Sequence, residues 1–515
     1  MVLFSRVRSS AVLGVDAYIV EVETDLGYHI PSFVTVGLAE GAVRESKERV
    51  TSAIKNSGYS FPLKRITINL APADVRKEGS GFDLPMAVGI LAADGRIPSE
   101  SLKKYVLVAE LSLDGGLRHV RGILPITMAV RNAGYEGIIV SADDGNEAAL
   151  VDNINVYSAA NLRQVIDFLS GQIVIQKHPH PDISSLMSGK SEGNDFSEVK
   201  GQAHVKRALE VAAAGSHNVL LIGPPGSGKT MMARRIPTIL PTMTIEEALE
   251  TTKIHSVAGM LHDGQPLVPQ RPFRDPHHTI SEVALVGGGG TPRPGEVSLA
   301  HNGVLFIDEF PELGKNNIES LRQPLEDGVV TISRSAYSVR FPASFMLVVS
   351  MNPCPCGYLT DPFHECTCNP TTVQRYLSKV SGPILDRIDI HIEVPPVRYH
   401  DLVDNTDASN ESHIMRERVN RARERQKQRY HNDHGIHANA HIGPRAIKKH
   451  CQLDNEGERI LKRSIDAFGF SARAYHRILK VARTIADLEG EETIGARHVS
   501  EAVQYRTLDR SIWMK

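Results

Sequence analysis

The sequence predicts an α/β protein organised on a P-loop nucleotide-binding core, with a separate α/β domain before it and a helical domain after it. Three observations lead there. The loop Gly223-Pro224-Pro225-Gly226-Ser227-Gly228-Lys229-Thr230 fits the G-x-x-x-x-G-K-[ST] phosphate cradle and lies between the apolar run Val219-Leu220-Leu221-Ile222 and a helix-like stretch from Met231. A second apolar run, Gly303-Val304-Leu305-Phe306-Ile307, ends in two carboxylates, Asp308 and Glu309, where ligands sit in α/β sheets. Around this core, residues 1–170 alternate strand-like and helix-like runs, whereas residues 396–515 carry helical periodicity.

Composition bounds the reading. A chain of 515 residues has room for roughly three domains, and 41% hydrophobic with 23% charged residues is ordinary for soluble globular protein. Arg6, Arg8 and Asp16 interrupt the apolar residues of the first twenty positions, so no signal-peptide core or membrane span is expected there; the expectation is a cytoplasmic protein without a membrane partner. A net charge of −2 provides no global basic field, so any nucleic-acid binding must rest on local patches. Of five cysteines, four fall between Cys354 and Cys368, which suits metal ligands in a reducing compartment better than a disulfide framework.

In the first domain the strands are Tyr18 to Glu23, Ile66 to Leu70 and Tyr105 to Ala109, with helices over Ala42 to Lys55 and Leu124 to Ala133. Residues 171–196, with His178, Pro179, His180 and Pro181 followed by Ser, Gly, Lys and Asp, have the composition of an exposed linker.

The core is expected over 197–395. Glycines of the loop let backbone amides close on phosphate oxygens, Lys229 reaches the β and γ phosphates of ATP, and the Thr230 hydroxyl ligates Mg²⁺. Asp308 holds Mg²⁺ through water, and Glu309 polarises the attacking water. A third strand, Phe345 to Ser350, leads to Asn352, a polar residue positioned for the γ-phosphate or that water. Arg387 precedes the strand Ile388 to Val394 and is either a transition-state clamp for a neighbouring subunit's nucleotide or a surface partner of Asp386 or Asp389. Within the insert 354–368, Cys354, Cys356, Cys366 and Cys368 form two C-x-C pairs suited to a tetrahedral structural Zn²⁺, with His364 as a substitute ligand and buried free thiols as the alternative.

In the C-terminal part, Arg416, Arg418, Arg421, Arg423, Arg425, Lys427 and Arg429 make a basic helical stretch interleaved with Glu417 and Glu424, read as a solvated face. Ser471-Ala472-Arg473 opens an apolar-periodic helix whose N-terminal arginines, Arg473 and then Arg477, are placed to sense nucleotide.

The phosphate loop, Gly303 to Glu309, Asn352, Leu385-Asp386-Arg387 and Ser471-Ala472-Arg473 together resemble an AAA+ ATPase of the magnesium-chelatase type. With Val199-Lys200-Gly201-Gln202, Asp275-Pro276-His277-His278-Thr279, Leu321-Arg322-Gln323-Pro324-Leu325-Glu326-Asp327-Gly328 and Asn352-Pro353-Cys354-Pro355-Cys356-Gly357, the chain looks like the YifB/ComM family over essentially its whole length. That resemblance implies a Lon-protease-like (ribosomal S5 domain 2-like) N-terminal domain, an AAA+ P-loop core and a C-terminal helical lid. It implies Asn352 as first sensor, Arg387 as a finger acting in trans, Arg473 as second sensor, and a homo-hexameric ring.

The stretch Arg76 to Asp83 is similar to the Lon loop carrying the nucleophilic serine, yet the aligned position is Gly81, with Ser80 one residue early. Where Lon places its lysine after Gly-Gly-Leu, this chain has Gly115-Gly116-Leu117-Arg118-His119-Val120. Arginine stays protonated and cannot serve as the base, so the domain reads as non-proteolytic.

In ring ATPases of this clade an insert and a hairpin face the pore. The resemblance therefore implies Arg271, Arg274, His277, His278, Arg334 and Arg340 as DNA contacts, with the run Gly287-Gly288-Gly289-Gly290 as a pore loop or a plain hinge. The implied function is an ATP-dependent DNA translocase or helicase that promotes branch migration as DNA is integrated in natural transformation and homologous recombination, acting on single-stranded and branched DNA with recombination proteins as further partners. A magnesium-chelatase motor subunit and a protein unfoldase without its own protease are the alternatives.

Overall fold

The computed structural model describes residues 3–38, 41–73, 77, 79–187, 195–261, 265–290, 292–334, 337–396, 410–433 and 435–508, with the side chains of residues 42, 44, 334 and 337 outside that description. The chain forms two compact units: Met1–Gly189 with Ile245–Pro269 and Ser333–Phe341, and Lys190–Thr244 with Gln270–Ile332 and Pro342–Lys515.

The first unit is built on a mixed sheet. Its strands are β1 (Phe4–Leu13), β2 (Asp16–Gly27), β3 (Ser32–Val36), β4 (Arg65–Ala71) and β5 (Tyr105–Leu107), then a small hairpin of β6 (Glu110–Leu111) and β7 (Leu117–Arg118), then β8 (Gly137–Ser141) and β9 (Asn155–Ala159). The order is β3-β4-β2-β1-β5-β8-β9, with the hairpin apart. Alternation dictates the buried face: Val20, Val22, Thr24 and Leu26 of β2 point inward while their neighbours do not. The helix Asp83–Ala93 has no polar stripe and is buried along its whole length.

Two expectations about domain limits change here. The core predicted as contiguous over 197–395 surrenders two pieces to the first unit. Within that unit the helix Ile245–Ala258 is joined by Ser256 donating to Glu147 and by Lys253 pairing with Asp16 at 3.0 Å. The linker predicted over 171–196 also begins later, because the His178 amide donates to the Val156 carbonyl (2.8 Å) and His180 Nδ1 bonds the Ala149 carbonyl (2.9 Å). The backbone of His178 and the side chain of His180 satisfying distant carbonyls are what the composition alone concealed.

The second unit holds a five-stranded sheet. Its strands are β10 (Val219–Ile222), β11 (Phe273–Arg274), β14 (Val304–Ile307), β17 (Met346–Met351) and β18 (Ile390–Glu393), in the order β11-β14-β17-β10-β18 and all parallel. Between these in sequence lie two hairpins, β12 (Gly287–Gly288) with β13 (Arg293–Pro294), and β15 (Val329–Arg334) with β16 (Tyr337–Pro342). Every residue of β10, β14 and β17 is buried, as expected of parallel strands covered on both faces.

The C-terminal helices share this core: Val419, Ile478 and Ile485 belong to the same apolar cluster as Val219 and Leu221. Beneath them, Asp389 is buried against His217 (3.3 Å) and Arg477, and His217 Nε2 reaches the Thr484 hydroxyl at 2.7 Å. The basic helix Glu411–Arg429 presents the solvated face read from sequence at Glu417, Arg421, Glu424, Arg425 and Lys427, but its other arginines are held within the chain. Arg418 pairs with Glu210, Arg429 with Asp487, and Arg416 donates to the Leu240 carbonyl.

Candidate active site

Parallel strand order assembles the site. Because β17 pairs with both β10 and β14, the residue leaving its carboxyl end stands between the loop that follows β10 and the acidic pair that follows β14. Asn352 occupies that position, and its Oδ1 accepts from Lys229 Nζ at 3.2 Å. The same ammonium donates to the carbonyls of Gly223 (2.8 Å) and Pro224 (2.9 Å). Burial pulls the Lys229 ammonium down to about 8, with Asp308 opposing the shift.

The loop needs its glycines. A Cβ on Gly223 would stand 2.2 Å from the Val394 carbonyl oxygen, and Gly226 and Gly228 both have positive φ. Gln202 clamps the loop from outside by donating to the Ser227 (3.1 Å) and Pro395 (2.9 Å) carbonyls, which gives the Val199-Lys200-Gly201-Gln202 stretch its role. The Ser227 hydroxyl is buried without a hydrogen-bond partner, an unmet polar group that a bound phosphate would satisfy.

The Thr230 hydroxyl donates to Asp308 Oδ2 at 2.6 Å, so these two oxygens share the point where a hard cation such as Mg²⁺ would be held. Asp308 is fixed from behind by the Ser350 hydroxyl and by the Glu309 amide (3.0 Å). Glu309 has a left-handed backbone, φ 51°, rare for a residue with a side chain and a mark of positions held for function.

The chain leaving β11 runs beside β14, and this brings His278 Nδ1 to 3.4 Å from Glu309 Oε2, with the His277 ring packed on His278 at 4.1 Å between centroids. Of the histidines implied as DNA contacts, His278 contacts Glu309 and His277 is exposed. Arg271 and Arg274 are held within the chain. Arg271 is committed to the Pro241 and Asn302 carbonyls, both at 2.7 Å, and Arg274 to Glu296 through two hydrogen bonds of 2.6 and 2.8 Å. Arg340 is exposed on β16; the Arg334 side chain lies outside the described residues. Gly287 lies in β12 close against β13, since a Cβ there would stand 2.5 Å from the Arg293 carbonyl oxygen.

Arg387 and Arg473 are at the opposite, amino end of the strands. The Arg387 carbonyl accepts from Asn218 Nδ2 (2.9 Å) just before β10 and β18 begin, a strand length away from the phosphate loop that follows β10. Its guanidinium is 8% exposed and bonds Glu326 and the Pro383 carbonyl (2.7 Å) rather than Asp386 or Asp389. Arg473 is exposed and lies 3.9 Å from Asp386, whereas Arg477 is committed to buried Asp389.

Cys354, Cys356, Cys366 and Cys368 converge, with all four sulfurs within 4.8 Å of one another and Sγ separations of 3.3, 3.7 and 3.5 Å among the first three. Four thiolates about 2.3 Å from a tetrahedral Zn²⁺ stand about 3.8 Å apart, so the quartet fits that ion. His364 instead faces Asp361 at 3.4 Å. The cysteine loop also touches the phosphate loop, because a Cβ on Gly357 would lie 2.5 Å from Pro225.

In the first unit, Gly81 is enclosed by Val120 and Val108, whose methyls would be 3.2 and 3.3 Å from any Cβ there, and the Ser80 hydroxyl is bonded to Glu110. His119 pairs with buried Asp144 at 2.5 Å. No serine–lysine pair forms at these positions.

Sequence comparisons agree with this geometry. The family described as "Magnesium chelatase, subunit ChlI" matches residues 195–402, "Subunit ChlI of Mg-chelatase" residues 22–144 and "Magnesium chelatase, subunit ChlI C-terminal" residues 409–506. The chain is 44% identical over 509 residues to the competence protein ComM of Haemophilus influenzae, covering 98% of this chain and 97% of that one. The chain belongs to the YifB/ComM family. Two further members, the YifB proteins of Salmonella typhimurium and Escherichia coli, are each 42% identical over 98% of this chain and 97% of their own. The magnesium-chelatase-like AAA+ architecture thus extends over the chain, and no helix among the described residues is long and apolar enough to cross a membrane.

Proposed function

We propose that this protein is an ATP-driven DNA motor working as a homo-hexameric ring in the cytoplasm, which moves along single-stranded and branched DNA and promotes branch migration during integration of DNA in transformation and homologous recombination, together with recombination proteins. The observation that carries the reading is the division of the site along the strands: Lys229, Thr230, Asp308, Glu309 and Asn352 gather at their carboxyl ends, while Arg387 and Arg473 lie at the amino ends. A subunit built so completes its neighbour's site, not its own, and repetition of that head-to-tail contact closes a ring. Kinship with a competence protein favours DNA as the polymer. The cysteine quartet would hold a structural Zn²⁺ and brace the loop that carries Asn352.

The test is steady-state ATP hydrolysis with no polymer, single-stranded DNA, duplex DNA, unfolded protein or a porphyrin, using Glu309→Gln as the blank. Stimulation by DNA, absent from the blank, supports the motor and leads to a three-strand branch-migration assay. Stimulation by unfolded protein or porphyrin, with indifference to DNA, overturns it in favour of an unfoldase or a chelatase motor.

A further inference from the structure

Beside Glu309 and Asn352 lies a cavity of about 470 Å³, walled also by Pro355 of the cysteine loop and by Arg375 and Tyr376. The last two belong to the helix Pro370–Leu377, whose start is fixed by the Asn369 side chain accepting the Thr372 amide at 2.8 Å. Tyr376 is buried, which pushes its phenol up to about 12, so it stays neutral on the cavity wall. One turn on, Lys379 pairs at 2.7 Å with Glu312, in the turn that follows the acidic pair.

Arg375 is exposed and lines the cavity together with Glu309 and Asn352. No carboxylate among the described residues pairs with it, although neighbouring cations are committed: Lys379 to Glu312, Arg274 to Glu296, Arg234 to Asp275. A guanidinium kept unpaired beside a catalytic carboxylate, on a helix whose far end is tied to Glu312 through Lys379, has the charge and the planar donor fork that a phosphoryl oxygen pair requires.

We infer that Arg375 is a phosphate ligand of its own subunit's site, binding the γ-phosphoryl group of ATP from the cavity and so distinguishing ATP from ADP. The inference rests on the ATPase reading and adds a residue that the P-loop pattern does not include. Asn352 and Arg375 then read the same group from two walls of one cavity.

The experiment measures ATP and ADP affinity of the full chain in the Glu309→Gln background, with Arg375→Ala and Arg375→Lys added. We expect Arg375→Ala to weaken ATP binding by 10- to 100-fold, to leave ADP binding within two-fold, and to be partly rescued by lysine. In the Glu309-containing chain, KM for ATP should rise with Arg375→Ala. Equal losses for ATP and ADP would make Arg375 a structural residue and overturn the inference, as would no loss for either. A parent chain that binds neither nucleotide would instead sink the ATPase reading, and the inference with it.

Discussion

His278 Nδ1 stands 3.4 Å from Glu309 Oε2, so the carboxylate assigned to activate water is engaged by a side chain from the neighbouring strand's exit. A half-exposed contact of this kind is worth about 1 kcal/mol at most, a factor of about five in an equilibrium. If the contact holds Glu309 away from water, His278→Ala raises the basal ATP turnover by up to about five-fold and narrows the increment produced by DNA. Basal rates and DNA increments identical to the parent would show that the contact has no part in control.

Arg387 bonds Glu326 of its own chain, so a finger acting in trans must exchange that carboxylate for the neighbour's nucleotide. Arg387→Ala should cut kcat by about 10³-fold, the scale of an arginine finger, while ATP binding persists. Mixing it with Lys229→Ala should restore part of the turnover, because one subunit then supplies the loop and the next the arginine. Full turnover by Arg387→Ala alone would exclude the role.

The cradle and acidic pair were legible because their spacing is local: phosphate-loop glycines and a strand ending in two carboxylates declare themselves within a few residues. What was not legible depends on strand order. Nothing local in Asp275-Pro276-His277-His278 says that β11 lies next to β14, and only that adjacency turns His278 toward Glu309. Nothing local showed how Arg271 and Arg274 are held, because their partners, the Pro241 and Asn302 carbonyls and Glu296, lie some twenty to thirty residues away. Arg375 gave no signal at all in sequence, since its meaning comes from the cavity it shares with Glu309 and Asn352 and from Lys379 tying the end of its helix to Glu312.

The sulfur geometry predicts one zinc per chain. Metal analysis of the purified protein should find it, and a chelator strong enough to remove it should lower the unfolding midpoint, since a structural zinc contributes folding free energy directly. Replacing Cys366 and Cys368 together by serine should abolish the metal and lower ATP turnover, because the loop touching Pro225 and carrying Asn352 loses its brace. A chain containing no metal and indifferent to the double substitution would leave the quartet as buried thiols.

Glu147 is buried in the first unit, where one oxygen accepts both the Leu124 amide (2.7 Å) and the Ser256 hydroxyl (2.5 Å). Burial raises its carboxyl from 4.5 to about 7, against the pull of those two donors. Between those values the folded chain binds more protons than the unfolded one, so this group makes stability fall as pH rises, by about 3 kcal/mol once pH is well above 7. His119 acts in the same direction: its contact with Asp144 raises its value, so the stability it contributes below its ordinary range is lost as pH rises through the raised one. Glu147→Gln keeps an acceptor for Leu124 and Ser256 without an ionisable group. The substitution should therefore leave the unfolding midpoint nearly unchanged at pH 5, raise it at pH 8, and remove from the slope between them the part Glu147 supplies. Denaturant melts of both chains at the two pH values measure this directly, and parallel pH profiles would mean that Glu147 is not the group that titrates.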